Sequence, residues 1–152
     1  MQLQSSVIVR RPVAEVWAYL GDFSKISEWD RGVASTEAKS DAATGAGFTF
    51  DTLAHPQGKQ GSGEWGRMSY RIAEVDPERG CTVQLTNKDG NARYFRSAEW
   101  RFRVDPVPEG SRVTCIAKFQ LRLRYLFLGP VLFSMKKAIH RDLESLKSRL
   151  EG

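Results

Sequence analysis

PVLFSMKKAIHRDLESLKSRL, the stretch from Pro130 to Leu150, has the pattern of a long amphipathic helix. Its apolar residues recur three or four positions apart, at Leu132, Met135, Ile139, Leu143, Leu146 and Leu150, with Lys, Arg, Glu and Ser between them. Pro130 suits a first helical turn because that turn has no use for the missing backbone N–H. An apolar face of this length must pack against another element of the fold.

The segments before this helix predict the surface that it covers. Extended runs separated by Gly-, Pro- and Asp-containing turns span 33–40, 48–54, 64–75, 81–87, 93–104 and 112–124. Strands joined by loops this short pair antiparallel, because a parallel connection needs a crossover of about a dozen residues. With a first strand that places Leu3, Ser5, Val7 and Val9 on one face, the sequence predicts an α+β domain with a curved antiparallel sheet of about seven strands.

Two short helices are expected between the first strand and the rest of the sheet. Pro12 suits the start of the first, whose apolar residues recur at helical spacing until Gly21. Asp22 can cap a second helix that carries Phe23, Ile26 and Trp29.

Composition narrows the classes of protein to consider. A chain of 152 residues with 41% apolar residues fits one domain, residues 1–152. No run reaches the roughly 18 apolar residues of a membrane span, and Met1–Ser6 lacks the apolar run of a signal peptide, so we expect a cytoplasmic protein. Cys81 and Cys115 have no Cys-x-x-Cys spacing, which favours reduced, partly buried thiols over a disulfide or zinc site.

Charge and histidine content point away from nucleic acid and metals. The net charge of +5 is scattered among acidic residues, as on a mixed solvated surface, so no nucleic-acid partner is expected. His55 and His140 have no partner at metal-ligand spacing, and no metal site is predicted. The sequence from Gly61 to Gly66 fits the dinucleotide fingerprint, but it opens a strand where that motif opens a helix, which favours a hairpin loop.

The run from Tyr125 to Phe133 admits two interpretations. Arg122, Arg124, Lys136 and Lys137 flank it, and basic residues beside apolar ones favour contact with an anionic membrane surface. The alternative is a buried hinge leading into the long helix. We favour the buried hinge at this point.

Several motifs resemble one family over essentially the whole chain. The opening Ser6-Val7-Ile8-Val9-Arg10-Arg11-Pro12-Val13-Ala14-Glu15-Val16-Trp17-Ala18-Tyr19-Leu20-Gly21-Asp22-Phe23, followed by Ile26-Ser27-Glu28-Trp29, is similar to the start of the polyketide cyclase/dehydrase family. Tyr70-Arg71-Ile72 running to Asp76-Pro77, and Gly110-Ser111-Arg112-Val113-Thr114, also match. This bacterial-type family belongs to the START-like, or SRPBCC, superfamily with the helix-grip fold, and it includes aromatase/cyclases and ligand carriers.

The resemblance implies a cavity between the concave face of the sheet and the long helix. Strand alternation then suggests the lining residues on the sheet, the resemblance to aromatase/cyclases adds Trp29 at the end of the second short helix, and the apolar stripe of the long helix adds Met135 and Ile139. We expect the ligand-binding residues to be Trp29, Phe48, Phe50, Met68, Tyr70, Trp100, Phe102, Phe119, Met135 and Ile139. A packed interface without a cavity is the alternative interpretation.

Three functions remain open, and the first is favoured. The leading hypothesis is a module, monomeric or homodimeric, that binds an apolar or aromatic small molecule without a metal or cofactor. The second is an aromatase/cyclase, in which Tyr70 and Arg96 could polarise carbonyl groups of a poly-ketone chain. Arg96 is assigned to the cavity because it has the same strand parity as Ala98 and Trp100. The third is a regulatory domain that uses its basic surface.

Overall fold

Alternation along the strands and turn residues between them produce a single curved sheet. The computed structural model describes residues 1–40, 45–56, 63–77 and 79–152. Within these residues, seven strands pair antiparallel in the order β1-β7-β6-β5-β4-β3-β2. The strands are β1 (Gln2–Val9), β2 (Ser35–Ala38), β3 (Thr49–Leu53), β4 (Met68–Asp76), β5 (Gly80–Leu85), β6 (Phe95–Val107) and β7 (Gly110–Leu121). The predicted seven-stranded α+β architecture is confirmed.

Two helices connect the edges of this sheet. Helix α1 (Val13–Leu20) and helix α2 (Ile26–Trp29) lie between β1 and β2, which form opposite edges of the sheet. The second predicted helix is shorter than expected because Phe23–Lys25 forms a 3₁₀ turn, capped by the Asp22 side chain through the Ser24 N–H. The pair therefore carries the chain across the sheet and places Trp29 at the end of α2.

The C-terminal helix is interrupted where the pattern predicts one continuous helix. Helix α3 (Gly129–Phe133) ends at Ser134, and helix α4 (Met135–Glu151) follows it. The Ser134 hydroxyl donates to the Val131 carbonyl oxygen over 2.6 Å, and the Ser134 N–H bonds the same carbonyl over 3.1 Å. A side chain that competes for backbone carbonyls in this way favours a break or bend in a helix.

Helix α4 packs across the sheet beside β1. Its buried residues Ile139, Leu143 and Leu146 face the core, which includes Leu3, Val7 and Val9 of β1 as expected. Polar bonds fix the helix lengthwise: the Lys147 ammonium donates to the Ile8 carbonyl oxygen (2.6 Å), and Glu151 accepts from the Arg10 N–H (3.1 Å). The N-terminal half of α4 is thereby held over the concave face of the sheet.

Candidate functional site

A cavity of about 400 Å³ lies between the concave face of the sheet, α2 and the N-terminal half of α4. Residues of α1, α2, β3, β4, β5, β6 and α4 line it, so it forms only when the sheet and these helices are assembled. Two other hollows, at the turn between β4 and β5 and beside Met1, are lined mainly by charged and polar residues. The first cavity is therefore the site with the apolar lining expected for small-molecule binding.

Aromatic rings in mutual contact form most of the cavity wall. Phe50 stacks on Phe23 at 4.9 Å between ring centroids and lies 5.5 Å from Tyr70. Tyr70 in turn meets Trp100 edge to face at 5.4 Å, and Trp29 meets Phe102 edge to face at 6.1 Å. Edge-to-face and offset contacts are favourable arrangements for aromatic pairs. The rings support one another and leave their remaining surface toward the cavity.

Most of the side chains expected to line a cavity do meet at this one. The predicted residues that line it are Trp29, Phe50, Met68, Tyr70, Trp100, Phe102, Met135 and Ile139. Phe119 is buried behind them, 5.4 Å from the Trp100 ring, and Phe48 is half-buried beside Phe50. Phe48 and Phe119 therefore contribute to the supporting core and do not line the cavity.

The placement expected for Arg96 is wrong. The pairing of β6 with β7 shifts register between Phe95 and Ser97, which marks a β-bulge. The bulge turns Phe95 inward, where its ring lies 5.4 Å from Phe119, while Arg96 is exposed beside Gln84 and Lys118. Because one extra residue reverses strand parity, Arg96 shares no face with Trp100 and does not reach the cavity.

Two acidic residues are part of the cavity lining. Asp30, directly after α2, and Asp142, on α4, both line it. Burial, followed by the nearby Asp142 carboxylate, raises the pKa of Asp30 from 3.8 to about 7. Burial also raises the pKa of Asp142, whose carboxylate accepts a bond of 3.1 Å from the Arg31 N–H. Asp30 can therefore exchange a proton near neutral pH.

The indole nitrogen of Trp29, the residue before Asp30, is an unsatisfied donor. Trp29 is 6% exposed, and its Nε1 has no hydrogen-bond partner among the described residues. A buried donor without an acceptor costs about 1–3 kcal/mol. Because Trp29 also lines the cavity, an acceptor atom of a bound molecule could satisfy this donor.

Tyr70 is the other polar group on the aromatic wall. Its hydroxyl lies 3.6 Å from the Met68 sulfur. Burial and the nearby Asp30 carboxylate raise the pKa of Tyr70, while a hydrogen bond with the Thr52 side chain opposes that rise. The phenol therefore stays protonated near neutral pH and can donate to a bound oxygen.

The two cysteines are buried, whereas the two histidines are exposed. Cys81 and Cys115 are buried free thiols, and burial raises the pKa of each to about 12, which leaves little thiolate for nucleophilic chemistry. His55 and His140 are exposed, and His140 shares a 2.9 Å hydrogen bond with Ser5. Of the predicted hairpin loop at 61–66, residues 61 and 62 lie outside the described residues. In the described parts of the chain, no three His, Cys, Asp or Glu side chains cluster as metal ligands would.

Sequence reasoning missed both acidic residues of the cavity lining. Asp142 had a usable signal, since Met135, Ile139 and Asp142 are spaced four and three residues apart on one stripe of α4. Asp30 had none, because it lies just beyond a helix of four residues and its burial depends on α4 closing over it. Phe23 and Thr52, which also line the cavity, were likewise not assigned to it.

Comparisons with known proteins agree with this architecture. The sequence model of the family described as "Polyketide cyclase / dehydrase and lipid transport" matches residues 1–151. No curated protein matches the sequence.

Solved structures give the same result for the fold. The Zhui aromatase/cyclase from Streptomyces sp. R1128 is 13% identical with a TM-score of 0.78, over 99% of this chain and 93% of that one. Truncated norcoclaurine synthase from Thalictrum flavum is 12% identical with a TM-score of 0.74, over 99% and 92%. TTHA0849 from Thermus thermophilus is 19% identical with a TM-score of 0.73, over 99% and 97%. At these identities the likeness is one of fold alone.

Proposed function

Because the chain belongs to the polyketide cyclase/dehydrase and lipid transport family, we propose that it binds one apolar or aromatic small molecule, polyketide-like or lipid-like, in the cavity under α4. The helix-grip fold suits this role because a curved sheet and a covering helix can enclose a pocket without disrupting the core at the other end of the helix. The volume of about 400 Å³ falls in the range of small-molecule sites.

The unsatisfied indole N–H of Trp29 is the observation that carries the proposal. Native proteins bury few donors without an acceptor, and Trp29 is one of the residues that line the cavity. Because Asp30 and Tyr70 line the same cavity, they supply further polar groups for an oxygen of the ligand. The proposed ligand therefore has a largely apolar or aromatic body and at least one hydrogen-bond acceptor.

Paired probes can separate this specific hydrogen bond from general hydrophobic binding. We expect the protein to bind 2-acetonaphthone about fivefold more tightly than 2-ethylnaphthalene, because only the ketone supplies an acceptor and one such bond is worth about 1 kcal/mol. Trp29→Phe keeps an aromatic ring in the wall and removes the donor, so the two affinities should become equal. Quenching of tryptophan fluorescence measures both affinities in each protein.

Two outcomes count against this part of the proposal. One is failure of both probes to bind the native protein, which would remove the cavity as a binding site. The other is an unchanged preference for the ketone in Trp29→Phe, which would place the acceptor elsewhere. Trp17→Phe is the matched control, since Trp17 packs against the core but does not line the cavity.

A second candidate function, an aromatase/cyclase without a metal or cofactor, is favoured by Asp30. A carboxyl group with a pKa of about 7 can take a proton from a carbon between two carbonyls and return it later. Tyr70 could hold the enolate oxygen, and the aromatic walls could fold the chain for ring closure. The aromatase/cyclase among the structures of similar fold makes this reaction class a reasonable one to test.

A reconstituted polyketide synthase distinguishes the two functions by its products. If the protein directs cyclisation, Asp30→Asn and Tyr70→Phe should shift the ring pattern of the products, whereas Arg96→Ala should not, because Arg96 lies outside the cavity. The same products with and without the protein would reject the enzymatic role and leave ligand binding as the function.

Localisation and assembly stay predictions. None of the helices in the described residues is both long and apolar enough to cross a bilayer. We propose a cytoplasmic protein, monomeric or homodimeric; size-exclusion chromatography with light scattering distinguishes the two assembly states.

A further inference from the structure

An exposed apolar segment, Leu123–Phe133, projects large side chains into solvent beside the N-terminal end of α4. Five of them are more than half exposed: Leu123 (87%), Leu126 (57%), Phe127 (73%), Val131 (60%) and Phe133 (64%). This exposure contradicts the buried hinge favoured from the sequence. The pattern did not reveal it because the segment forms a 3₁₀ turn and the short helix α3, so that only Leu132 turns into the core.

Contacts with Tyr94, Phe95 and the core hold the exposed apolar segment in place. Tyr125 packs edge to face on Tyr94 at 4.9 Å. Arg122 anchors its start, with its N–H on the Tyr94 carbonyl oxygen (3.0 Å) and its side-chain Nε on the Phe95 carbonyl oxygen (3.2 Å). Leu132 is buried at its other end. The exposed side chains therefore belong to a segment with a fixed position. Large exposed apolar patches usually mark an interaction surface.

Basic residues flank the exposed apolar segment. No Asp or Glu occurs from Gly110 to Arg141, and Arg122, Arg124, Lys136 and Lys137 directly flank the apolar residues. Lys136 and Lys137 are exposed on the first turn of α4, and the Arg124 guanidinium lies over the Tyr125 ring at 5.5 Å. Apolar side chains flanked by Lys and Arg match the two layers of an anionic bilayer surface, its acyl boundary and its negative headgroups.

We infer that the exposed apolar segment docks on anionic membrane surfaces, with Leu123 and Phe127 inserted at the acyl boundary and Lys136 and Lys137 at the headgroups. A second copy of the chain fits less well, because a two-fold contact through this face would bring like-charged Lys and Arg residues together. Docking would also place α4, whose Met135 and Ala138 line the cavity, next to the bilayer. The inference depends on surface residues alone and does not require the cavity to bind a ligand.

Vesicle sedimentation tests the inference. Native protein is mixed with vesicles of phosphatidylcholine alone and with vesicles containing roughly 30% phosphatidylglycerol, a content that gives the surface a negative potential. We expect at least about tenfold tighter binding to the anionic vesicles, weakened by salt. Leu123→Ser/Phe127→Ser and Lys136→Glu/Lys137→Glu should each reduce that binding by about tenfold or more. Because these side chains are exposed, the variants should keep the native melting temperature.

A matched control separates docking from the general effect of net charge. Arg101→Glu/Arg112→Glu makes the same charge change at exposed positions on β6 and β7, away from the segment. It should leave binding nearly unchanged. Equal binding to neutral and anionic vesicles, or an equal loss in this control, would overturn the inference. So would a native dimer that the Leu123→Ser/Phe127→Ser variant converts to a monomer without changing vesicle binding, since the face would then join two copies.

Discussion

Asp30→Asn should raise the free energy of unfolding at pH 8 by roughly 3 kcal/mol, a large effect for removing one charge. In the unfolded chain Asp30 ionises near its ordinary pKa of 3.8, whereas in the native protein burial and Asp142 raise that pKa to about 7. One pKa unit corresponds to about 1.4 kcal/mol, and relaxation of the native site around the charge keeps the effect below the full product. The amide keeps an acceptor for the Gly32 N–H, which now donates to Asp30 over 2.9 Å.

The pH dependence gives the same prediction a second readout. Between pH 4 and 7 the native Asp30 holds a proton that the unfolded chain has released, so native stability falls as the pH rises through this range. Asp142 contributes in the same direction, because its pKa is also raised. The lowered pKa values of Glu37, Glu64 and Glu151 act below about pH 4.5 and do not offset this trend.

Denaturant unfolding at a series of pH values measures both effects. Native protein should lose stability from about pH 4.5 to about pH 7.5, and Asp30→Asn should lose much less. Exposed Glu74, mutated to Gln, is the control and should follow the native curve. A native curve that is flat over this range, or an Asp30→Asn variant that is less stable than native at pH 8, would contradict the assigned burial of this carboxyl.

Val83→Trp should abolish most ligand binding while the protein stays folded. Val83 lies in the middle of β5, paired with Ile72 and Trp100, and its buried side chain lines the cavity floor. An indole at this position would extend into the space of about 400 Å³ that a ligand needs. We expect affinity for 1-anilinonaphthalene-8-sulfonate to fall on the order of 100-fold, which equals about 2.7 kcal/mol.

Gln84→Trp provides the matched control for this prediction. Gln84 is the next residue of β5, where its side chain accepts from Arg71 on the outer face of the sheet over 3.2 Å. The same indole on that face should leave probe affinity within about twofold of native, since the cavity volume is unchanged. Probe fluorescence measures affinity and circular dichroism checks the fold. Equal losses in both variants, or no loss in Val83→Trp, would mean that the probe binds outside the cavity.

Strand alternation predicted much of this site because it depends only on which face each side chain occupies. Phe50, Tyr70, Trp100 and Phe102 could be assigned to one concave surface before any tertiary contact was known. Arg96 shows the limit of that reasoning. One bulged residue at the start of β6 reverses which face of the sheet the preceding side chains occupy, and the local sequence does not predict the bulge.

The C-terminal region was predicted less completely than the sheet. The apolar stripe correctly placed Ile139, Leu143 and Leu146 against the core, but the break at Ser134 depends on a side-chain bond that competes with the helix. The exposure of Phe127 and Phe133 could not be predicted either, since apolar residues favour burial unless the chain geometry prevents it. Asp30 is the opposite case, an acidic residue that tertiary packing partly buries.

The indole N–H resonances of the tryptophans test the proposed cavity most directly. In ¹H–¹⁵N spectra recorded during titration with 2-acetonaphthone, the signals of Trp29 and Trp100 should shift and saturate together at one equivalent, because both rings line the cavity. The Trp17 signal should stay in place. If a bound ligand occupies this cavity, the Trp29 signal should also move downfield as its donor gains an acceptor. Saturable binding of 2-acetonaphthone that leaves the Trp29 and Trp100 signals in place would contradict the account.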